Sequence, residues 1–423
     1  VGDEGSIWVG ELEVDAECAV APVSGPVRSG YATARVLIRL HGAPIGNVHL
    51  PLHPADSLTA RARQAAETDL AEALRRHRSR DAAAPGSGPE AWQADVGCPG
   101  RYQRGGPEGV SVIICSRDRP AGLIECLRTL QQISYAPMEI IVVDNAPSDD
   151  ATRQAVTDLA RDDSRVRYTR EPRPGLSNAR NNGLSHATFD VVAFTDDDVY
   201  VDARWPAAIA AGFAADTEAM CITGLVASRS LDTAAERYFD SRYSWGEAFE
   251  PRRFDLSVHR DASRLYPYSP GIFGTGANFA VRRSAMAKLG VFDPLLGAGS
   301  PARGGEDLDL FVRVILAGGR ICYLPSALIW HQHRAETQAL ADQVYAYGHG
   351  LGAYLAKRLM IRDMPVSMLY KGFGQSAVVA GRMRQATQAS QYKARGKRLA
   401  LSEAWGVLAG GRTYYRAARK ARD

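Results

Sequence analysis

Phe189-Asp190-Val191-Val192-Ala193-Phe194-Thr195-Asp196-Asp197-Asp198 is an apolar, strand-type run that ends in three consecutive carboxylates. Open α/β sheets hold their ligands at the carboxyl ends of strands, so this run sets several oxygen atoms at that edge. Three adjacent charges repel one another unless a hard cation or hydrogen-bond donors compensate them. A solvated acidic turn explains the run equally well in isolation, so the neighbouring segments decide between the two readings.

Upstream, Val110 to Cys115 is a buried-type strand, Ala121 to Gln132 a helix, Met138 to Val143 a second strand, Ala151 to Leu159 a helix and Val166 to Tyr168 a short strand. Repeated β–α units of this length predict a mostly parallel sheet covered by helices. Cys221 to Val226 continues the sheet or forms its edge, helices follow at Arg283 to Leu289 and Glu306 to Leu316, and a strand lies around Ile321 to Leu324.

The flanks read differently. Residues 1–84 form a small α+β unit, with strands at Ser6 to Val14 and Tyr31 to Leu40 and one helix from Leu58 to Arg78. Residues 85–109 carry eleven Gly or Pro and read as a linker, which Trp92 and Tyr102 can pin to a neighbour. The α/β unit spans 110–335, and 336–423 is helical and basic: from Leu351 onwards there are fifteen Lys/Arg against three Asp/Glu, in a chain whose net charge is +4. Such a tail favours an anionic surface, with membrane headgroups ahead of nucleic acid because no base-reading surface accompanies it. No secretory signal opens the sequence and no apolar run is long enough to span a bilayer. The expectation is a cytoplasmic protein, peripheral at the inner membrane face. The six cysteines show no metal-site spacing and read as reduced thiols. A homo-oligomer interface is an alternative use for the helical tail.

The chemistry sits at strand ends. Ser116-Arg117-Asp118-Arg119-Pro120 follows the first strand without a Gly-rich phosphate loop, and its arginines can meet phosphate or organise acids. Asp144-Asn145 ends the second strand, where an acid can meet a ribose hydroxyl or a base imino group. Arg173 to Gly183 is a compact polar helix opening that carries Arg180. Trp330-His331-Gln332-His333-Arg334 closes the α/β unit, and its two histidines point the same way if the segment is extended.

Together, the segments Ser111 to Arg117, Val142 to Asn145, Gly175 to Asn181, Asp196 to Asp198, Gly274 to Phe279 and Gly305 to Leu310 resemble family 2 nucleotide-sugar glycosyltransferases with the GT-A fold. The resemblance covers about Val110 to Arg334. It implies a Rossmann-like α/β core, an inverting transfer assisted by Mg²⁺ or Mn²⁺, and a UDP-, TDP- or GDP-sugar donor with a hydroxyl-bearing acceptor that is lipid-linked or a natural-product aglycone. By this resemblance Asp144 recognises the base with Arg180 beside it, and Asp196 lies near the ribose. Asp197 and Asp198 ligate metal together with His331, His333 being the competitor. Asp307 is the general base and Glu306 an orienting group. Gly276 and Asn278 line the donor-sugar junction, while Ser116, Arg117, Arg173 and Arg334 face the nucleotide. The aromatics between Ala227 and Gly271, Trp245, Phe249, Phe254, Tyr266 and Tyr268, either stack on the acceptor or pack a lid. A nucleotidyltransferase and a non-catalytic carbohydrate-binding protein are the competing classes. The first lacks its Gly-rich loop with lysine here, and the second does not call for the acidic cluster.

Overall fold

The computed structural model describes residues 5–53, 57–82, 92, 96, 98, 108–243, 246–269, 271–368 and 393–421. The N-terminal strands β1 (Ser6–Glu13), β2 (Ala21–Pro22), β3 (Tyr31–Leu40) and β4 (Ala43–Pro51) form a sheet of order β2-β1-β3-β4, with β1 and β3 parallel. The expected single helix is two, α1 (Leu58–Asp69) and α2 (Ala71–Ala82). Between them Leu70 leaves helical geometry at φ −114°, ψ 14° and packs on the bare face of Gly46, where a Cβ would lie 2.7 Å from a Leu70 methyl.

The second sheet explains the apolar runs. Strands β5 (Val110–Ser116), β6 (Met138–Asn145), β7 (Val166–Glu171) and β8 (Val191–Asp196) are parallel in the order β7-β6-β5-β8. The inner residues of β5, β6 and β8 are almost wholly buried, because helices α3 (Pro120–Gln131), α4 (Ala151–Asp162), α5 (Leu176–His186) and α6 (Trp205–Ala215) accompany the sheet, while β7 forms its more exposed edge. The sheet continues through β12 (Asn278–Arg282), antiparallel to β8, then β10 (Ala219–Ser228), β13 (Arg320–His331) and β11 (Arg252–Phe254), while β9 (Val199–Val201) pairs with the end of β13. Thus β10 is interior rather than an edge. The strand expected around Ile321 to Leu324 runs on to His331, its pairing with β10 interrupted after Gly224, where Pro325 has no N–H to donate. That extension carries His331 to the acidic edge.

Among the described residues, three short helices and two long ones follow: α7 (Ala234–Tyr243), α8 (Arg283–Leu289), α9 (Glu306–Leu316), α10 (Thr337–Met360) and α11 (Lys393–Lys420). Trp92 is buried beneath Arg253, whose guanidinium lies 4.8 Å from its ring; Tyr102 and most of 85–109 lie outside the described residues. So does most of Met364 to Ala380, the stretch of the basic tail that mixes Met, Val, Leu, Tyr and Phe with few charges and is expected at the membrane surface. Among the described residues, no helix is long and apolar enough to cross a membrane.

Candidate functional site

Register places the acids. Ser116 stands opposite Asp144 across β5 and β6, and Cys115 opposite Asp196 across β5 and β8. With strands about 4.8 Å apart, Asp144 and Asp196 are separated by roughly 10 Å along one edge, enough to span a nucleoside and its first phosphate.

Asp196 and Asp198 turn the same way and meet His331; one ligand atom from each lies within 4.8 Å of the others. Asp197 turns back. It accepts hydrogen bonds from Ser116 Oγ at 2.7 Å and Arg119 Nη1 at 2.6 Å. Of the expected Asp197–Asp198–His331 set, Asp198 and His331 come together with Asp196, while Asp197, in the turn that follows β8, is held apart by Ser116 and Arg119. Asp196 joins this cluster rather than standing apart for a ribose. Ser116, expected to face the nucleotide, spends its hydroxyl on Asp197. Burial and then the neighbouring Asp198 push Asp196 up to about 6. Burial acts on Asp198 too, but His331 and Arg119 outweigh it and hold that carboxyl well below the usual range. Arg119 donates to Asp198 at 2.9 Å, and Arg334 lies 3.7 Å away.

The two histidines have different tasks. Arg35, on β3, grips Asp240 through two hydrogen bonds at 2.8 and 2.7 Å. Ser228 Oγ donates to Asp240 at 2.6 Å, leaving its oxygen to accept from His333 Nε2 at 2.8 Å. His333 Nδ1 then accepts from His331 Nδ1 at 3.1 Å. His331 Nδ1 thus donates to His333 and its Nε2 faces Asp198, 3.3 Å away; burial lowers the His331 imidazole, but Asp198 outweighs it and raises it above its ordinary value. Burial and the neighbouring His331 push His333 down to about 3, keeping it neutral for this task. His331 is thus the residue at the cluster, and His333 stands behind it.

At the other end, Asp144 is fully buried, with Oδ2 accepting from Tyr168 at 2.8 Å and Oδ1 without a hydrogen-bond partner among the described residues. Burial raises its carboxyl and, with the Asp144 bond, pushes Tyr168 up to about 12. Tyr168 went unnoticed in the sequence because a lone tyrosine in a short strand carries no signal. Arg173 is exposed and clasped by Glu171 at 2.9 Å, and Arg117 is half exposed with Asp118 at 3.8 Å.

Arg180 was expected beside the base. Instead it is buried against Phe194, Phe279 and Phe292, donates to Glu306 at 2.7 Å and to the Gly276 carbonyl at 2.8 Å, and lies 3.9 Å from Asp196. Its aromatic collar and two acids fix it at the far end of the site from Tyr168 and Asp144. Burial, opposed by Arg180, pushes Glu306 up to about 7. Asp307 is only half buried; its Oδ1 accepts from Leu308 N at 2.8 Å, and a Cβ on Gly276 would lie 3.1 Å from its Oδ2. Asn278 does not line the site: its amide donates to the carbonyls of Leu225 and Ala327 and accepts from Trp205 Nε1. All its polar capacity is used inside the sheet. Phe254, Tyr266 and Tyr268 are likewise buried, the tyrosines bonded to the carbonyls of Asp255 and Asp363, so they pack rather than present a stacking face. Phe249 is partly buried, and Trp245 lies outside the described residues.

Residues 111–290 match the family model Glycosyl transferase family 2, and the chain carries a glycosyltransferase domain of that family on a GT-A core. Over 257 residues it is 27% identical to "Pre-mycofactocin glycosyltransferase" of Mycobacterium tuberculosis, covering 61% of this chain and 49% of that protein. Over 259 residues it is 29% identical to "Succinoglycan biosynthesis protein ExoM" of Rhizobium meliloti, covering 59% and 76%. The chain therefore spans about half the length of the first of these relatives. A solved mannosyltransferase from Pyrobaculum calidifontis, in complex with GDP-Man and Mn²⁺, superposes at a TM-score of 0.44 with 20% identity, covering 85% of this chain and 97% of that one. That likeness is too loose to bear on this site.

Proposed function

We propose that the domain transfers a sugar from a nucleoside-diphosphate donor to a hydroxyl-bearing acceptor with inversion. The observation that carries the reading is the gathering of Asp196, Asp198 and His331 on one sheet edge, between the Asp144 end and the Glu306–Asp307 end. Two carboxylates and an imidazole suit Mg²⁺ or Mn²⁺. Held by these three residues, such an ion supplies positive charge for the departing diphosphate. Asp144 Oδ1 accepts from an imino N–H of the base. Arg119 and Arg334, already on Asp198, add fixed charge near the phosphates.

Asp307, the less buried acid of its pair, takes the proton of the acceptor hydroxyl while that oxygen bonds to the anomeric carbon and the carbon–oxygen bond to the diphosphate breaks. Glu306 keeps Arg180 in place and is not itself the base. The matched family is one of sugar transferases, which sets aside the nucleotidyltransferase reading. In Asp307→Asn, transfer falls by about 10²–10⁴-fold with donor affinity unchanged, as loss of a positioned base requires. Single-turnover rates and donor calorimetry check this, and nuclear magnetic resonance of the product's anomeric centre checks inversion. Equal rates in variant and wild type would remove Asp307 from the base role.

The acceptor we propose to be lipid-linked, met at an anionic membrane surface. On α11, Leu401, Trp405 and Leu408 share one exposed face, flanked by exposed Lys397, Arg398, Arg412 and Arg416.

A further inference from the structure

A second cluster lies away from the sugar-transfer edge. His41, His77, Asp81 and Cys98 each bring one ligand atom within 4.8 Å of the others. They come from three places: the turn between β3 and β4, the i,i+4 face of α2, and Cys98. We propose that they form a structural site for a zinc-type divalent cation, tying Cys98 to the N-terminal unit.

The donor set fits. One carboxylate and one thiolate balance the two charges of the cation, and two neutral imidazoles complete a four-coordinate sphere of the kind closed structural zinc sites use. Ligand atoms around tetrahedral zinc stand roughly 3.3–3.7 Å apart. His77 Nε2 lies 3.4 Å from Asp81 Oδ2, Cys98 Sγ 3.7 Å from His41 Nδ1 and 3.1 Å from Asp81 Oδ2. Two separations are hydrogen-bond lengths, His41 Nδ1–Asp81 Oδ2 at 2.5 Å and Cys98 Sγ–Asp81 Oδ2 at 3.1 Å, and they open by roughly 1 and 0.5 Å when a cation replaces the imidazole and thiol protons.

Two further observations point to a ligand. His77 is more than nine-tenths buried, and its Nε2 has no hydrogen-bond partner among the described residues although it faces the cluster. A buried polar atom in that position calls for an occupant. On the other side of His41, Asp15 Oδ2 lies 3.3 Å from Nε2, and Arg78 holds that carboxylate at 3.1 Å. A carboxylate behind a histidine is how a metal-binding ring is oriented, and it directs the Nδ1 lone pair inwards. The two-residue turn that presents the ring, His41 at φ 53° and Gly42 at φ 86°, is itself pinned by Glu13 to both backbone N–H groups. Close by, Arg80 of α2 bonds Glu250 of the α/β domain at 2.7 Å, so the site sits at the junction of the two units.

The test uses the full chain carrying Asp198→Asn and His331→Ala, which removes the other cluster. Elemental analysis after gel filtration is expected to give one equivalent of zinc. Cobalt exchanged into this protein is expected to show a tetrahedral visible spectrum with a thiolate charge-transfer band. That band is lost in Cys98→Ser, while the cobalt itself is retained more weakly. Mass spectrometry of alkylation at Cys98 is read on the unmutated chain, in case a variant folds poorly: zinc is expected to slow it at least tenfold relative to chelated protein. Less than a tenth of an equivalent of metal, a cobalt spectrum without the thiolate band, or alkylation indifferent to zinc would each overturn the proposal.

Discussion

Arg180 shows how much one side chain organises. Its guanidinium lies among three phenylalanines and is paired with Glu306, so the acid beside the proposed base is held by burial and charge together. Glu306 is raised from 4.5 to about 7, hence the folded chain retains a proton that the unfolded chain releases near pH 4.5. The stability from this group is present in full below that pH and is lost as pH rises to about 7. Relative to wild type, Glu306→Gln should gain roughly 3 kcal/mol between these limits, at 1.36 kcal/mol per pH unit, and no more above them. Urea unfolding across pH 4.5–7.5 reads this difference; parallel curves would count against it. At His333 the expectation is a 10–100-fold loss of Mn²⁺ affinity in His333→Ala, partly restored in His333→Gln, whose amide can both donate and accept. Paramagnetic titration of Mn²⁺ measures it, and unchanged affinity would deny the histidine relay any part in orienting His331. The sequence announced the acids and the two histidines but not their partners. Ser228, Asp240 and Arg35 are brought to His333 only by folding, so no spacing could reveal them.

Elements were legible where the burial pattern is simple. Tyr31–Leu40, Arg283–Leu289 and Glu306–Leu316 stand as their periodicity predicts. The short strands β9, β11 and β12 did not announce themselves, because three to five residues carry too little pattern and owe their form to pairing with β13 and β8. Helices α10 and α11 pack backbone to backbone through glycines at four-residue spacing, Gly348 and Gly352 against Gly406 and Gly410. A Cβ on Gly352 would lie 1.9 Å from the Val407 carbonyl, and one on Gly410 1.9 Å from that of His349. Neither carbonyl can yield without moving its helix. Gly352→Ala is therefore expected to cost about 1–3 kcal/mol in urea unfolding, the range for overpacking a tight interface. This matters to the site because Gly350 of α10 seats against Gly304 and Gly305, directly before Glu306. A neutral Gly352→Ala would mean the helices can separate freely.

At the scale of the molecule, the N-terminal unit reaches the cluster through Arg35, and α10 seats at the first turn of α9, so both flanks buttress the α/β core. Composition flagged the basic tail, yet only the structure shows an apolar exposed face on α11 within it. Leu401→Asp with Trp405→Asp should abolish flotation with anionic vesicles at low salt while leaving donor binding intact; equal flotation of variant and wild type would remove that face from membrane contact. The central claim, a metal-assisted nucleoside-diphosphate site on the β5–β6–β8 edge, is tested most directly by calorimetry of UDP, TDP and GDP. The wild-type chain is titrated with Mn²⁺ present and after chelation, beside Asp144→Asn and His331→Ala. At least one nucleotide is expected to bind only with Mn²⁺, and at least tenfold more weakly in either variant. Binding of the same strength in the chelated protein and in both variants would contradict the claim.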